Sequence, residues 1–191
     1  MSPDQLVQAF ALTRGLLDNV TPDDYTSATP CAAWTVRDLA NHIVEGANWF
    51  GLCVDAGAAP DPDPTHGVDY AAGDLLAAYD RGVAGSVAAF STPGALERTI
   101  KLPFGEMPGG AFLVIATCDV VTHGWDLAKA TGQPSDLDDD LAGRVLSEIK
   151  TGLPDGMRGP EGSGAPFRPA GEAPAGAPPA DQLAAFLGRT V

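Results

Sequence analysis

Apolar positions recur at helical spacing through most of the 191 residues. Leu6, Phe10, Leu16, Leu17 and Val20 predict a first helix over Pro3 to Val20, with Ser2 placed to cap it and Pro3 suited to its first turn. Val36, Leu39, Ala40, Ile43, Ala47 and Phe50 predict a second, reaching about Val54. Thr35 is its natural N-cap, and Asp38 stands three residues on as a capping-box acid. Gly46 interrupts that helix; such a glycine costs about 1 kcal/mol relative to Ala and predicts the close approach of another group. Leu75, Leu76, Tyr79, Val83, Val87 and Phe90 predict a third helix from Tyr70 to Phe90. Leu113, Ala116, Val120, Leu127 and Ala130 predict a fourth, from about Gly110 to Ala130, closed by Gly132. A fifth runs from Leu137 to Lys150, opened by Ser135 or Asp136, with Asp138, Asp139 and Asp140 at the positive end of its dipole. Asp181 to Arg189 forms a short terminal helix.

Between these lie segments of other character. Residues 56–69 are rich in Gly, Pro and Asp and read as a loop too polar and broken to pack. Leu96, Thr99, Ile100, Leu102 and Phe104 are β-prone, so residues 95–110 read as extended. From Leu153 to Ala180, Pro, Gly and Ala dominate, as in a loosely structured tail. The pattern predicts an all-α protein: a four-helix bundle over residues 1–150, with additional short helices and a small irregular or β-containing segment. Residues 151–191 form a Pro/Gly-rich C-terminal extension with a short terminal helix.

Composition narrows the partners. Hydrophobic residues make up 45%, enough for a core, and the net charge is −14. That charge argues against nucleic acid and anionic membrane surfaces. No run of about 18 apolar residues suggests a membrane span. The start Met1-Ser-Pro-Asp-Gln lacks the basic and apolar regions of a signal peptide, so a cytoplasmic protein is expected. Cys31, Cys53 and Cys118 fit no CxxC pattern and read as free thiols.

Candidate chemistry centres on the fourth helix. Asp119, His123 and Asp126 stand at i, i+4 and i+7, on one helical face. His42 borders the apolar stripe of the second helix. Alone, either His reads as a hydrogen-bonded core residue. If the two helices pack antiparallel, His42 can oppose Asp119 and His123, and two imidazoles with one carboxylate make an open divalent-metal site. Zinc is the first choice, with nickel, iron or manganese as the others. Glu45 and Asp126 are candidates to accept the outer ring N–H of a ligand His, or Asp126 pairs with Arg37. Cys118 points about 100° away from Asp119 and reads as a small core residue. His66 reads as solvated, and Trp34, Trp49 and Trp125 as core or pocket-wall aromatics.

Two longer stretches, Trp34-Thr-Val-Arg-Asp-Leu-Ala-Asn-His42 and Asp119-Val-Val-Thr-His-Gly-Trp-Asp-Leu-Ala-Lys-Ala-Thr-Gly132, resemble the actinobacterial maleylpyruvate isomerase-like family of the DinB-like superfamily. Phe104 to Gly109 and Leu183 to Arg189 carry the same likeness. The resemblance implies a DinB-like bundle with a divalent metal on His42, Asp119 and His123. Asp119 stands where the family's mycothiol-dependent isomerase has Glu, and the extension after Lys150 is short where that isomerase has a further domain. Members of known activity use low-molecular-weight thiols such as mycothiol, with the metal activating the thiolate.

The expected function is therefore a metal-dependent, thiol-using transferase or isomerase, with a small-molecule substrate, mycothiol as the cosubstrate and a homodimer by analogy. A non-catalytic metal-binding bundle with a stress-response or regulatory role is the alternative. A metal-free buried hydrogen-bond network is the third reading.

Overall fold

Side-chain caps set the helix ends in the computed structural model, which describes residues 1–31, 33–153, 155–160, 163, 165 and 167–191. Helix α1, Pro3–Asp18, begins where the Gln5 side chain accepts the Ser2 N–H at 2.8 Å. Helix α2, Val36–Ala56, opens on a capping box: the Thr35 N–H donates to Asp38 at 2.9 Å and the Asp38 N–H to the Thr35 hydroxyl at 3.3 Å. Helix α3, Leu75–Phe90, starts later than the apolar stripe predicts. Tyr70–Ala72 is a single 3-10 turn, Gly73 leaves the helical region, and Asp74 caps the helix by accepting the Ala77 N–H at 2.9 Å. Helix α4, Gly109–Thr131, ends at Gly132, whose φ of 67° is the left-handed conformation that favours glycine. Helix α5, Asp139–Gly152, is capped by Asp138, not by Ser135 or Asp136; the Asp138 carboxylate accepts the Leu141 N–H at 2.8 Å. Helix α6 spans Pro179–Phe186.

Four of these helices form a ring. α1 packs on α3 and α4, and α2 packs on the same two. Phe10, Leu39, Tyr79, Phe112, Leu113 and Leu127 fill the centre. The α2–α3 contact is backbone-close: a Cβ added to Gly51 would lie 2.9 Å from the Ser86 nitrogen, and one on Gly82 2.6 Å from the Asn48 amide. α5 covers α4, and α6 lies against both. α4 is long and apolar enough, by length and composition, to cross a bilayer, but 78% of that stretch is buried within the protein, as a central core helix requires. The fold is mostly α, with six α-helices and one hairpin among the described residues.

That hairpin, β1 Thr99–Leu102 and β2 Gly105–Pro108, pairs Thr99 with Pro108 and Leu102 with Gly105 and leads directly into α4. The 56–69 loop, expected not to pack, lies against it. The Ala59 N–H donates to the Lys101 carbonyl at 2.8 Å, and the Lys101 N–H to the Gly57 carbonyl at 3.0 Å. Thr65 is only 5% exposed. Backbone bonds hold this loop, which hydropathy does not register.

The C-terminal extension also returns to the body. The Phe167 N–H donates to the Met157 carbonyl at 3.1 Å, and the Gly159 N–H to the Phe167 carbonyl at 2.9 Å. Asp181 on α6 accepts the Trp125 indole N–H from α4 at 2.7 Å.

Candidate metal centre

α2 and α4 bring His42 opposite Asp119 and His123. Asp119 Oδ1 lies 3.4 Å from His123 Nε2 and 3.8 Å from His42 Nε2. One donor atom from each residue falls within 4.8 Å of the others. Two ligands at about 2.1 Å on a tetrahedral ion are about 3.4 Å apart, so these spacings suit a shared divalent cation. Gly46 explains part of the geometry. A Cβ there would press on the Phe50 ring at 3.3 Å and touch Asp119 Oδ2 at an ordinary contact distance of 3.5 Å, so the glycine chiefly gives space to Phe50 beside the carboxylate. This is the close approach that the interior glycine predicts.

The electrostatics demand positive charge. Burial alone would raise the Asp119 carboxyl, but the charge of His123 and hydrogen bonds to His123 and His42 hold it far below the carboxylate range. Burial would lower His123, but Asp119, with help from Asp126, raises it well above an ordinary imidazole. Positive charge is favoured between these groups, and a metal cation there would serve the same charge balance as a proton.

A second layer orients His123. Its Nδ1 lies 3.0 Å from Asp126 Oδ2, and Asp126 is completely buried. Burial would raise the Asp126 carboxyl; His123 and Arg189 outweigh it and bring it down to about 2. An ionised carboxylate only accepts, so the His123 Nδ1 carries the hydrogen and Nε2 faces Asp119. Arg189 forks onto the same carboxylate, with Nη2 at 2.8 Å and Nε at 3.2 Å. The Cys31 thiol donates to Asp126 Oδ2 at 3.2 Å, and Arg189 Nη2 reaches the sulfur at 3.5 Å. Neither Cys31 nor Arg189 is singled out by sequence reasoning. One sits in a loop and the other beyond α6, where no periodicity marks a facing partner.

Two expected roles are corrected. The cation on Asp126 is Arg189, not Arg37, which pairs with Asp69 at 2.7 Å and stacks on Tyr25. Five residues turn an α-helix through about 500°, so Arg37 points roughly 140° away from His42. Glu45, expected as an outer acceptor for a ligand His, accepts instead from His66 Nδ1 at 3.1 Å. His66 is exposed, as expected, yet tethered through that bond. Trp34 lies over both imidazoles, its centroid 4.6 Å from His42 and 5.7 Å from His123. Burial raises the Cys118 thiol to about 12, which keeps it protonated and inert.

The cluster opens into a cavity of about 730 Å³. Trp49, Phe50 and Phe112 line it from the helices, Trp34 from the loop before α2, Phe104 from the hairpin and Phe167 from the C-terminal extension.

Comparison with known proteins gives a consistent picture. The family model described as the mycothiol maleylpyruvate isomerase N-terminal domain matches residues 6–128. Two proteins of Mycobacterium tuberculosis, each described as uncharacterized, are 40% identical over 195 aligned residues, covering 100% of this chain and 97% of theirs. Crystal structures of the mycothiol-dependent maleylpyruvate isomerase and of a histidine-to-alanine mutant superpose with TM-scores of 0.53 and 0.57. Each covers 75% of this chain and 67% of that one at 16% identity, a likeness of fold.

Proposed function

Because the chain belongs to the family of the mycothiol maleylpyruvate isomerase N-terminal domain, we propose that it is a divalent-metal protein that uses a low-molecular-weight thiol of the mycothiol type as a transferase or isomerase. The observation that carries the reading is the convergence of His42, Asp119 and His123 at the floor of an aromatic-walled cavity. Those three residues would hold the metal, with zinc as the first candidate. Bound there, the ion would lower the pKa of a thiol enough to supply thiolate near neutral pH.

The remaining roles belong to the chain. Asp126 holds the His123 ring with Nε2 facing the site, and Arg189 keeps Asp126 ionised and fixed. Trp34 packs against both imidazoles, its ring tilted to each. The cavity holds the acceptor against the thiol sulfur. Its volume falls within the range of small-molecule sites, about 300–1,000 Å³.

The test is metal analysis of purified protein beside His42→Ala and His123→Ala. Stoichiometric zinc in the wild type and its loss in both variants is expected; equal metal in all three would sink the site. Calorimetry with mycothiol on the zinc-loaded protein then reads the thiol. Absence of heat would remove the enzymatic reading and favour a non-catalytic metal-binding protein.

A further inference from the structure

The walls of the cavity restrict what can enter it. Six aromatic side chains line it, and Trp49, Phe50 and Phe112 meet edge-on with centroids 5.7–6.0 Å apart, a rigid apolar surface. The acidic side chains of Glu45 and Asp63 share the lining with Asp119. Among the described residues two arginines, Arg168 and Arg189, bring positive charge to it. Both are engaged: Arg189 forks onto Asp126, and Arg168 has an interaction of its own. A carboxylate entering here would give up hydration, face Glu45 and Asp63, and find the Arg189 guanidinium already committed. A metal ion adds positive charge at the floor, but Asp119 and a bound thiolate would balance it.

We propose that the acceptor of this site is an uncharged, flat, apolar electrophile, and not a dicarboxylate such as the maleylpyruvate named in the related isomerase. The inference rests on the metal–thiol reading for its chemistry and on the wall for its selectivity. For an alkene conjugated to a carbonyl, the thiol sulfur bonds to the β-carbon and the π pair moves to the carbonyl oxygen. The proton given up by the thiol then returns to the α-carbon, so the adduct contains every atom of thiol and alkene. Phe104, at the tip of the hairpin and 41% exposed, forms the outer part of the wall.

An unreactive pair of probes on one ring skeleton tests the selectivity: dimethyl phthalate, which is neutral, and phthalate, the dianion that lacks its two methyl groups. Calorimetry on the zinc-loaded full chain should find the diester at least about tenfold tighter, a difference of about 1.4 kcal/mol. Glu45→Gln with Asp63→Asn should narrow the gap by admitting phthalate. Phe104→Ser, a change at an exposed turn, should weaken the diester alone. Phthalate binding as tightly as the diester, or no binding of either, overturns the inference. Zinc content and mycothiol heat on the same preparation keep the two readings apart. Zinc and mycothiol uptake with phthalate preferred refutes the inference and leaves the metal–thiol reading. Diester preference without zinc or mycothiol uptake refutes the metal–thiol reading and leaves the wall's selectivity.

Discussion

Replacing Arg189 by Met keeps most of the side-chain volume and removes the fork that holds Asp126. The Asp126 carboxyl is held at about 2, against an ordinary 3.8, despite complete burial. That net shift corresponds to about 2 kcal/mol favouring the ionised form, shared between His123 and Arg189. Removing Arg189 leaves a buried carboxylate with one charged partner, a class of change that costs about 3–5 kcal/mol. For a chain of this size each kcal/mol shifts the Tm by about 2–4 °C, so the lower end of that range predicts a fall of roughly 6–12 °C. Loosening an outer partner of a ligand His also weakens metal binding, typically by about 10–100-fold. Chelator-competition titration with zinc should show that loss in Arg189→Met. Arg189→Lys should recover little of it, because a lysine cannot fork onto a carboxylate. If Arg189 acts through Asp126, Asp126→Asn with Arg189→Met should bind zinc no worse than Asp126→Asn alone. Zinc affinity within about twofold of wild type in Arg189→Met, with an unchanged Tm, would refute the reasoning.

Three further outcomes follow. Arg37→Ala breaks an exposed, solvent-screened ion pair with Asp69 and should leave the Tm close to wild type, with zinc affinity unchanged by the same titration; a loss matching that of Arg189→Met would contradict the assignment of the two arginines. Gly51→Ala places a methyl 2.9 Å from the Ser86 backbone nitrogen and should destabilise by about 1–3 kcal/mol in urea unfolding; an unchanged midpoint would show that α2 and α3 have slack at this crossing. Because His123 is raised above its ordinary value, its stabilisation is fully present below about pH 6.5 and is lost as pH rises through the folded-state value. Metal-free protein should therefore lose Tm on the alkaline side, and zinc, in place of the proton, should suppress that loss; thermal scans that coincide with and without zinc would contradict this.

Local signals in the chain are reliable where the local chemistry is complete. The Thr35–Asp38 box, Gly132 and the apolar stripes of α1, α2 and α4 each carry their structural cause within a few residues, and the folded chain uses all of them. The starts of α3 and α5 were less legible, because Tyr70, Ser135 and Asp136 compete with Asp74 and Asp138, and a sequence does not rank neighbouring caps. His42, Asp119 and His123 could be grouped because helical spacing places two on one face and the third on an apolar stripe nearby. Asp126 could be offered to an imidazole in this way, and the fold puts it on His123, but the partners of Glu45 and Arg37 and the cation on Asp126 could not be assigned. Their contacts come from His66, Asp69, Cys31 and Arg189, residues in loops or near the chain end whose approach depends on the tertiary path. The aromatic lining contributed by Phe104 and Phe167 was hidden for the same reason.

The span of the Asp126 contacts has a consequence for how the molecule matures. Arg189 lies 63 positions from Asp126 and 158 from Cys31, which it also touches. Helices form from local contacts, whereas this junction must close some of the longest loops in the chain. The ring of helices can assemble while the Asp126 carboxylate still lacks its guanidinium, which arrives only when the segment after α6 docks. The fixing of Asp126, and with it the orientation of the His123 ring, then waits on that docking, so the geometry of the cluster reports long-range closure of the fold as well as local helix formation.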